Sequence, residues 1–239
     1  MAKIPYQKLP KKLTPSNALM LLLGTAAVQY LAITADFEGY VPVGYKDPVG
    51  IATKCLGDTT NVVVGKKYSF AECERSINEH SVEIIKPVRK CIKGFDNLPD
   101  KTKAAISSMA YNIGPKAMCD SSIVKYANAK NYTRMCNRMR EIYLYATDRK
   151  TGKKVVLKGL EIRRNREADL CLEGVKEGRR EVAENEKTIN DIIESGAETS
   201  RMAPRNTRTA GDAQDKVVRE SPAPLSLLDR VRAWLFGHL

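Results

Sequence analysis

The stretch EGYVPVGYKDPVGIATKCLGDTT, residues 38–60, carries a glutamate, an aspartate nine positions later and a threonine six beyond that. Gly-Tyr-Lys-Asp-Pro and Gly-Asp-Thr-Thr are turn signals, and they flank the β-branched runs VGIAT and NVVVG, which favour extended backbone. From Gly44 to Lys67 the pattern therefore predicts a small antiparallel sheet. Asp47 falls in a polar turn and Thr53 in the strand that follows. Glu38 closes whatever element comes before Gly39, so the segments on either side decide what the three residues can do together.

Upstream, Lys3, Lys8, Lys11 and Lys12 precede LTPSNALMLLLGTAAVQYLAITA, residues 13–35, a run without a charge. A basic head followed by an apolar run is the pattern of export or insertion, with the head kept in the cytoplasm. Ser16, Asn17, Gly24, Thr25, Gln29 and Thr34 dilute the run, whereas a stable span wants about 20 predominantly apolar residues. The working expectation is an uncleaved anchor able to enter a bilayer and leave it. Two alternatives stay open: a signal peptide cleaved at Thr25-Ala26-Ala27, and a buried core helix of a soluble protein. Asp36 ends the run two residues before Glu38, so the segment is expected to continue into the helix that carries Glu38.

Downstream, Ser69-Phe-Ala-Glu72 forms a capping box, and Phe70, Cys73, Ile77, Val82 and Ile85 give a helical stripe that Pro87 is expected to kink or end. A second helix follows Asp100, includes Ala104, Ile106, Met109 and Tyr111, and closes at Gly114-Pro115. Helical stretches also fit Ser122 to Ala129, Tyr132 to Tyr145 and Leu160 to Gly174. A small sheet followed by a mainly helical lobe is an α+β fold with a cleft between the lobes. Past Gly178 the composition shifts to a charged helix. Residues 199–224 read as a disordered linker. Residues 226–239 read as an amphipathic helix, with a Ser226–Asp229 cap and an arc from Leu227 to Leu239 that includes Trp234. Such a helix suits either a membrane surface or its own domain. The organisation expected is anchor at 1–35, catalytic domain at 36–178 and extension at 179–239.

Forty Lys plus Arg against 28 Asp plus Glu give a net charge of +12, which favours anionic polymers or lipid surfaces. The basic residues are scattered and aromatics are sparse, which argues against nucleic acid. Cys55, Cys73, Cys91, Cys119, Cys136 and Cys171 form no CxxC pair and have no His-rich neighbourhood, so disulfides in an oxidising compartment are expected rather than zinc. Their connectivity is not legible from sequence.

Cleaving a glycosidic bond takes one carboxyl that gives a proton to the leaving oxygen and a second, across the sugar, that attacks or activates water. Glu38 ends an apolar helix, surroundings that favour a protonated acid. Asp47, in its polar turn, is placed to remain a carboxylate. Thr53 offers a hydroxyl that could fix a water against Asp47.

The spacing of Glu38, Asp47 and Thr53 within EGYVPVGYKDPVGIATKCLGDT resembles the catalytic signature of the phage-type lysozymes, glycoside hydrolase family 24. AYNIG at 110–114 resembles the family's helix-ending segment, and GLEIRRNREADLC at 159–171 resembles its arginine-rich segment. With the basic, weakly apolar N-terminus, the chain is similar to signal-anchor-release endolysins over residues 13–178. The resemblance implies a lysozyme-like fold with Glu38 as general acid, Asp47 as the carboxylate that activates or positions water, and Thr53 as the residue orienting that water. It implies the β-1,4 bond between N-acetylmuramic acid and N-acetylglucosamine as substrate. It also implies no metal or organic cofactor, no nucleic-acid partner, a monomer, and a route from the host inner membrane to the periplasm. Some relatives carry a cysteine in place of Asp47 and silence it with an anchor cysteine. No cysteine precedes Cys55 here, so that control is not expected. Arg163 and Arg164 are expected in structural ion pairs. The rivals are a silent, membrane-tethered wall-binding protein and a lytic transglycosylase, which needs a single carboxylate.

Overall fold

The computed structural model describes residues 4, 6–47, 50–147 and 152–201. The chain divides into two units, Met1–Ile192 and Ile193–Leu239. The expected linker from residue 202 onward and the expected terminal helix lie outside the described residues. Residues 199–201, placed in the linker by composition, belong to a helix.

The apolar run folds as two short helices, α1 (Asn17–Leu23) and α2 (Ala26–Glu38), bent by 106°. The sequence suggested one continuous element. Gly24 breaks it, with φ of 58°, a left-handed conformation that suits glycine, and its N–H closes α1 on the Met20 carbonyl. The Ser16 hydroxyl caps α1 by accepting from the Leu19 N–H at 3.2 Å. Two further polar groups pin the segment to the body: the Ser16 N–H donates to Asn78 Oδ1 at 2.7 Å, and the Thr25 hydroxyl donates to Asp100. Leu19, Leu23, Ala26, Ala27, Tyr30 and Leu31 are all essentially inaccessible to solvent. Among the described residues no single helix is long and apolar enough to cross a membrane; the bent pair reaches that length and composition only together.

Strands β1 (Val41–Lys46) and β2 (Ala52–Cys55) pair antiparallel, with Tyr45 opposite Thr53 and Lys46 opposite Ala52. The NVVVG run is not a strand. It loops over Gly44, to whose carbonyl the Gly65 N–H donates, leaves Val63 and Val64 exposed, and is followed by an isolated bridge from Lys67 to Val43 of β1. With no second face to bury, its β-branched side chains gain nothing from extending the sheet.

Helix α3 (Phe70–Cys91) starts on the expected capping box, Ser69 with Glu72. It passes through Pro87 to Cys91, because Ile84, Ile85 and Val88 are buried and the Cys91–Cys119 disulfide secures its end. Helix α4 (Asp100–Ile113) ends at Gly114 as expected and packs along both α2 and α3. Helices α5 (Pro115–Cys119), α6 (Ser122–Asn128) and α7 (Tyr132–Met139) follow. The last is shorter than its sequence pattern, since Tyr145 is drawn into a hairpin of β3 (Tyr145–Thr147) and β4 (Lys154–Val156). Helix α8 runs Lys158–Arg201, and among its described side chains the buried ones all precede Gly178.

All six cysteines are paired, Cys55 with Cys73, Cys91 with Cys119 and Cys136 with Cys171. These tie β2 to α3, α3 to α5 and α7 to α8. Their sequence separations are 18, 28 and 35 residues, loops for which a bridge typically adds about 2–4 kcal/mol.

Candidate active site

Glu38, Asp47 and Thr53, the three residues singled out in the sequence, line one cavity of about 660 Å3 between the sheet and the start of α8. That volume lies in the range of sites that enclose part of a ligand. Each residue reaches the cavity by a different device.

Glu38 is the last residue of α2, released by Gly39 as the helix ends. Its side chain is 18% exposed, and Oε1 accepts from Arg163 at 2.7 Å. The second oxygen lies against Gly57, where a Cβ would stand 2.9 Å from Oε2. Gly57 also has φ of 82°, so the turn and the carboxylate both require glycine there. The purely apolar enclosure suggested by the sequence is replaced by a guanidinium on one oxygen and a glycine backbone on the other.

Behind Arg163 stands a buried polar network. Arg163 Nε donates to Glu167 Oε1 at 3.0 Å, and another of its nitrogens donates to the Ser108 carbonyl at 3.1 Å. The Ser108 hydroxyl donates to the same Glu167 oxygen at 2.8 Å. Arg164 donates to the other Glu167 oxygen and to Asn112 Oδ1, which borders the cavity. Arg163 is 4% exposed, and Arg164 and Glu167 are fully buried. Burial disfavours the Arg163 cation, but Glu38 and Glu167 outweigh it and hold the guanidinium above its ordinary pKa. For Arg164 burial wins, only partly offset by Glu167, and its pKa falls. The expected structural ion pairs are therefore present, and Arg163 also touches the candidate acid directly.

Asp47 follows β1. Its N–H donates to the Ile51 carbonyl, and its Oδ1 accepts from the Ile51 N–H, both at 2.8 Å, so the side chain closes the turn on itself. Thr53, 5% exposed, donates its hydroxyl to the Ile51 carbonyl at 3.2 Å, which leaves the oxygen's acceptor capacity available for a water. The Tyr45 phenol is pushed above its ordinary pKa by burial and then by Tyr6, Asp47 and Glu38 nearby. Among the described residues no group of His, Cys, Asp and Glu could hold a metal ion.

The sequence reading missed Gly57, Glu167 and Ser108, and it also missed Tyr6 and Ile4, which line the cavity from the far N-terminus. The Arg-Arg-Asn-Arg-Glu run was a signal for the buried network, although it did not say which arginine meets Glu38.

Residues 35–167 match the family Phage lysozyme. The chain is 30% identical over 166 residues to a SAR-endolysin of Bacteriophage PS119, covering 66% of this chain and 94% of that one. It is 28% identical over 172 residues to a SAR-endolysin of Enterobacteria phage P21, covering 70% and 99%. Among solved structures, an endolysin from Escherichia coli O157:H7 phage FAHEc1 superposes with a TM-score of 0.56 at 31% identity, covering 63% of this chain and 92% of that one. The active form of the P1 phage endolysin Lyz shares the fold with a TM-score of 0.54 at 24% identity, covering 66% and 93%.

Proposed function

The chain belongs to the phage lysozyme family and is a glycoside hydrolase of the muramidase endolysin kind; from that premise we propose that Glu38, Asp47 and Thr53 hydrolyse the β-1,4 bond between N-acetylmuramic acid and N-acetylglucosamine in peptidoglycan. The observation that carries this reading is that all three line one cavity, with Glu38 held on one wall by Arg163 and Asp47 held on the other by its own turn.

In this mechanism protonated Glu38 gives its proton to the glycosidic oxygen as the bond to the anomeric carbon breaks. Asp47 takes a proton from a water whose oxygen adds to that carbon from the opposite face, and Thr53 orients the water by accepting its second hydrogen. One water is consumed, and a second proton exchange with solvent resets the two carboxyls. The net charge of +12 suits an anionic wall. The test is turbidity loss of permeabilised Gram-negative cells and mass spectrometry of released sugars. The wild type yields hydrated reducing ends, and Glu38→Gln lowers the rate by about a thousandfold or more. Anhydro products, or an active Glu38→Gln, would overturn it.

The same proposal takes residues 13–35 as an anchor that leaves the inner membrane intact and folds into the enzyme in the periplasm, without cleavage. The support is packing: a cut after Ala27 would remove Leu19, Leu23, Ala26 and Ala27 from the core. The two leucines alone are worth about 3–6 kcal/mol of burial, against a typical total stability of about 5–15 kcal/mol. The intact mass of the periplasmic form decides, since full length supports release and loss of about 27 residues means signal cleavage.

A further inference from the structure

Residues ahead of the apolar run return to the cleft. The Gln7 N–H donates to the Tyr40 carbonyl at 2.8 Å, an antiparallel bridge two residues past Glu38. This pairing lays Tyr6 against Gly39: a Cβ at Gly39 would stand 2.6 Å from both Cδ1 and Cε1 of the ring. That side of the ring is fixed on backbone, yet Tyr6 is 59% exposed and lines the same cavity as Glu38, Asp47 and Thr53. An aromatic ring docked on one side and open on the other, beside the candidate acid, has no packing role that accounts for its exposure.

We propose that Tyr6 is a glycan-binding residue of the cleft, a platform on which a pyranose ring next to the scissile bond stacks. Pyranose faces that present C–H groups are apolar and fit an aromatic surface, while the phenol hydroxyl remains available to a sugar hydroxyl or acetamido group. Gly39 is what lets the ring lie so close to Glu38, since a side chain there would displace it. The inference rests on the muramidase reading and names part of its substrate site. It also gives the N-terminal arm a use that only a chain retaining residues 13–35 can have, because a form shortened by about 27 residues lacks Tyr6.

The experiment uses the full-length oxidised protein and purified, un-cross-linked glycan strands of alternating N-acetylglucosamine and N-acetylmuramic acid. In the Glu38→Gln background, Tyr6→Ala weakens strand binding about three- to tenfold, and Tyr6→Trp restores it. In the active enzyme, Tyr6→Ala raises KM by a similar factor and leaves kcat and the thermal midpoint close to wild type. Gln7→Pro, which keeps Tyr6 but removes the N–H that pairs with Tyr40, weakens binding likewise. Unchanged binding and KM in Tyr6→Ala would overturn the platform. Tighter binding or a lower KM would also overturn it, making the arm an obstruction instead. Failure of the muramidase reading is separately visible, as a Glu38→Gln protein that still hydrolyses strands whatever stands at position 6.

Discussion

Glu38 is held by a guanidinium 125 residues away in sequence, whereas Asp47 is held by a backbone N–H four residues on. The first wall of the cleft exists only when α8 docks against α2 and α4 and buries Arg163, Arg164 and Glu167 among them. The second is a hairpin turn between β1 and β2 in which hydrogen bonds to Ile51, four residues on, help set the side chain. The position of Glu38 is thus tied to a long-range contact, and that of Asp47 to bonds made within its own turn.

The largest effect expected from this contrast is at Glu167, which does not itself line the cavity but bonds to Arg163, which does. In Glu167→Ala the Arg163 Nε, the Arg164 guanidinium and the Ser108 hydroxyl all lose an acceptor, and two buried cations are left with Glu38, on Arg163, as the anion of the network. Breaking such a network from one side typically costs about 3–5 kcal/mol. Urea unfolding of the oxidised protein should show that loss, and lysis should fall with it because Arg163 no longer holds Glu38 in place. A loss under about 1 kcal/mol would mean that the network does not build this wall.

The same contrast explains what the sequence disclosed. Patterns confined to a few residues were legible: the Ser69–Glu72 box, the turn at Asp47, the strand at Thr53, and the helix end at Gly114. The placement of Arg163 on Glu38 was not, because two adjacent arginines look alike until α8 has a partner. The disulfide pairing was equally hidden. The apolar run is the instructive failure. Gly24, Thr25, Ser16 and Thr34 read as flaws in an anchor, yet Gly24 makes the bend, Ser16 caps α1 and bonds to Asn78, and Thr25 reaches Asp100. Residues that weaken a span are here the ones that specify its folded form, and the long-range partners that reveal this are not written nearby. Tyr6 left no signal at all, since its role depends on a backbone pairing across more than thirty residues.

A smaller effect is expected where the Asp47 wall meets the body, at Asp58. Its carboxylate pairs with Lys54 at 2.8 Å, accepts from the Thr60 N–H at 2.7 Å and from the Ser76 hydroxyl, and follows the Gly57 that backs Glu38. Burial would raise the Asp58 pKa, but Lys54, Ser76 and Thr60 outweigh it and hold it below the ordinary carboxylate value. A depressed folded-state pKa contributes stability that is complete above the unfolded pKa and is lost as pH falls through the folded one. Asparagine keeps an oxygen that can accept from the Thr60 N–H but loses the charge paired with Lys54, so Asp58→Asn should cost about 1–2 kcal/mol at neutral pH, and the deficit should shrink on acidification below the usual carboxylate range. Urea midpoints of both proteins across that range measure it. A deficit that stays constant with pH would assign the effect to packing instead of charge.

The smallest stability effect is expected at Asp47, and it separates the two walls most cleanly. Asparagine keeps an oxygen that can accept from the Ile51 N–H, so the turn should survive Asp47→Asn with a change of about 0.5 kcal/mol or less. In the proposed mechanism the substitution removes the anion that takes a proton from water, so the rate on sacculi should fall by about a hundredfold or more. Stability and rate would then fall together at Glu167 and part company at Asp47. If Asp47→Asn instead lowered the urea midpoint as far as Glu167→Ala does, the hairpin would not be a self-contained support, and both catalytic walls would depend on the same long-range assembly.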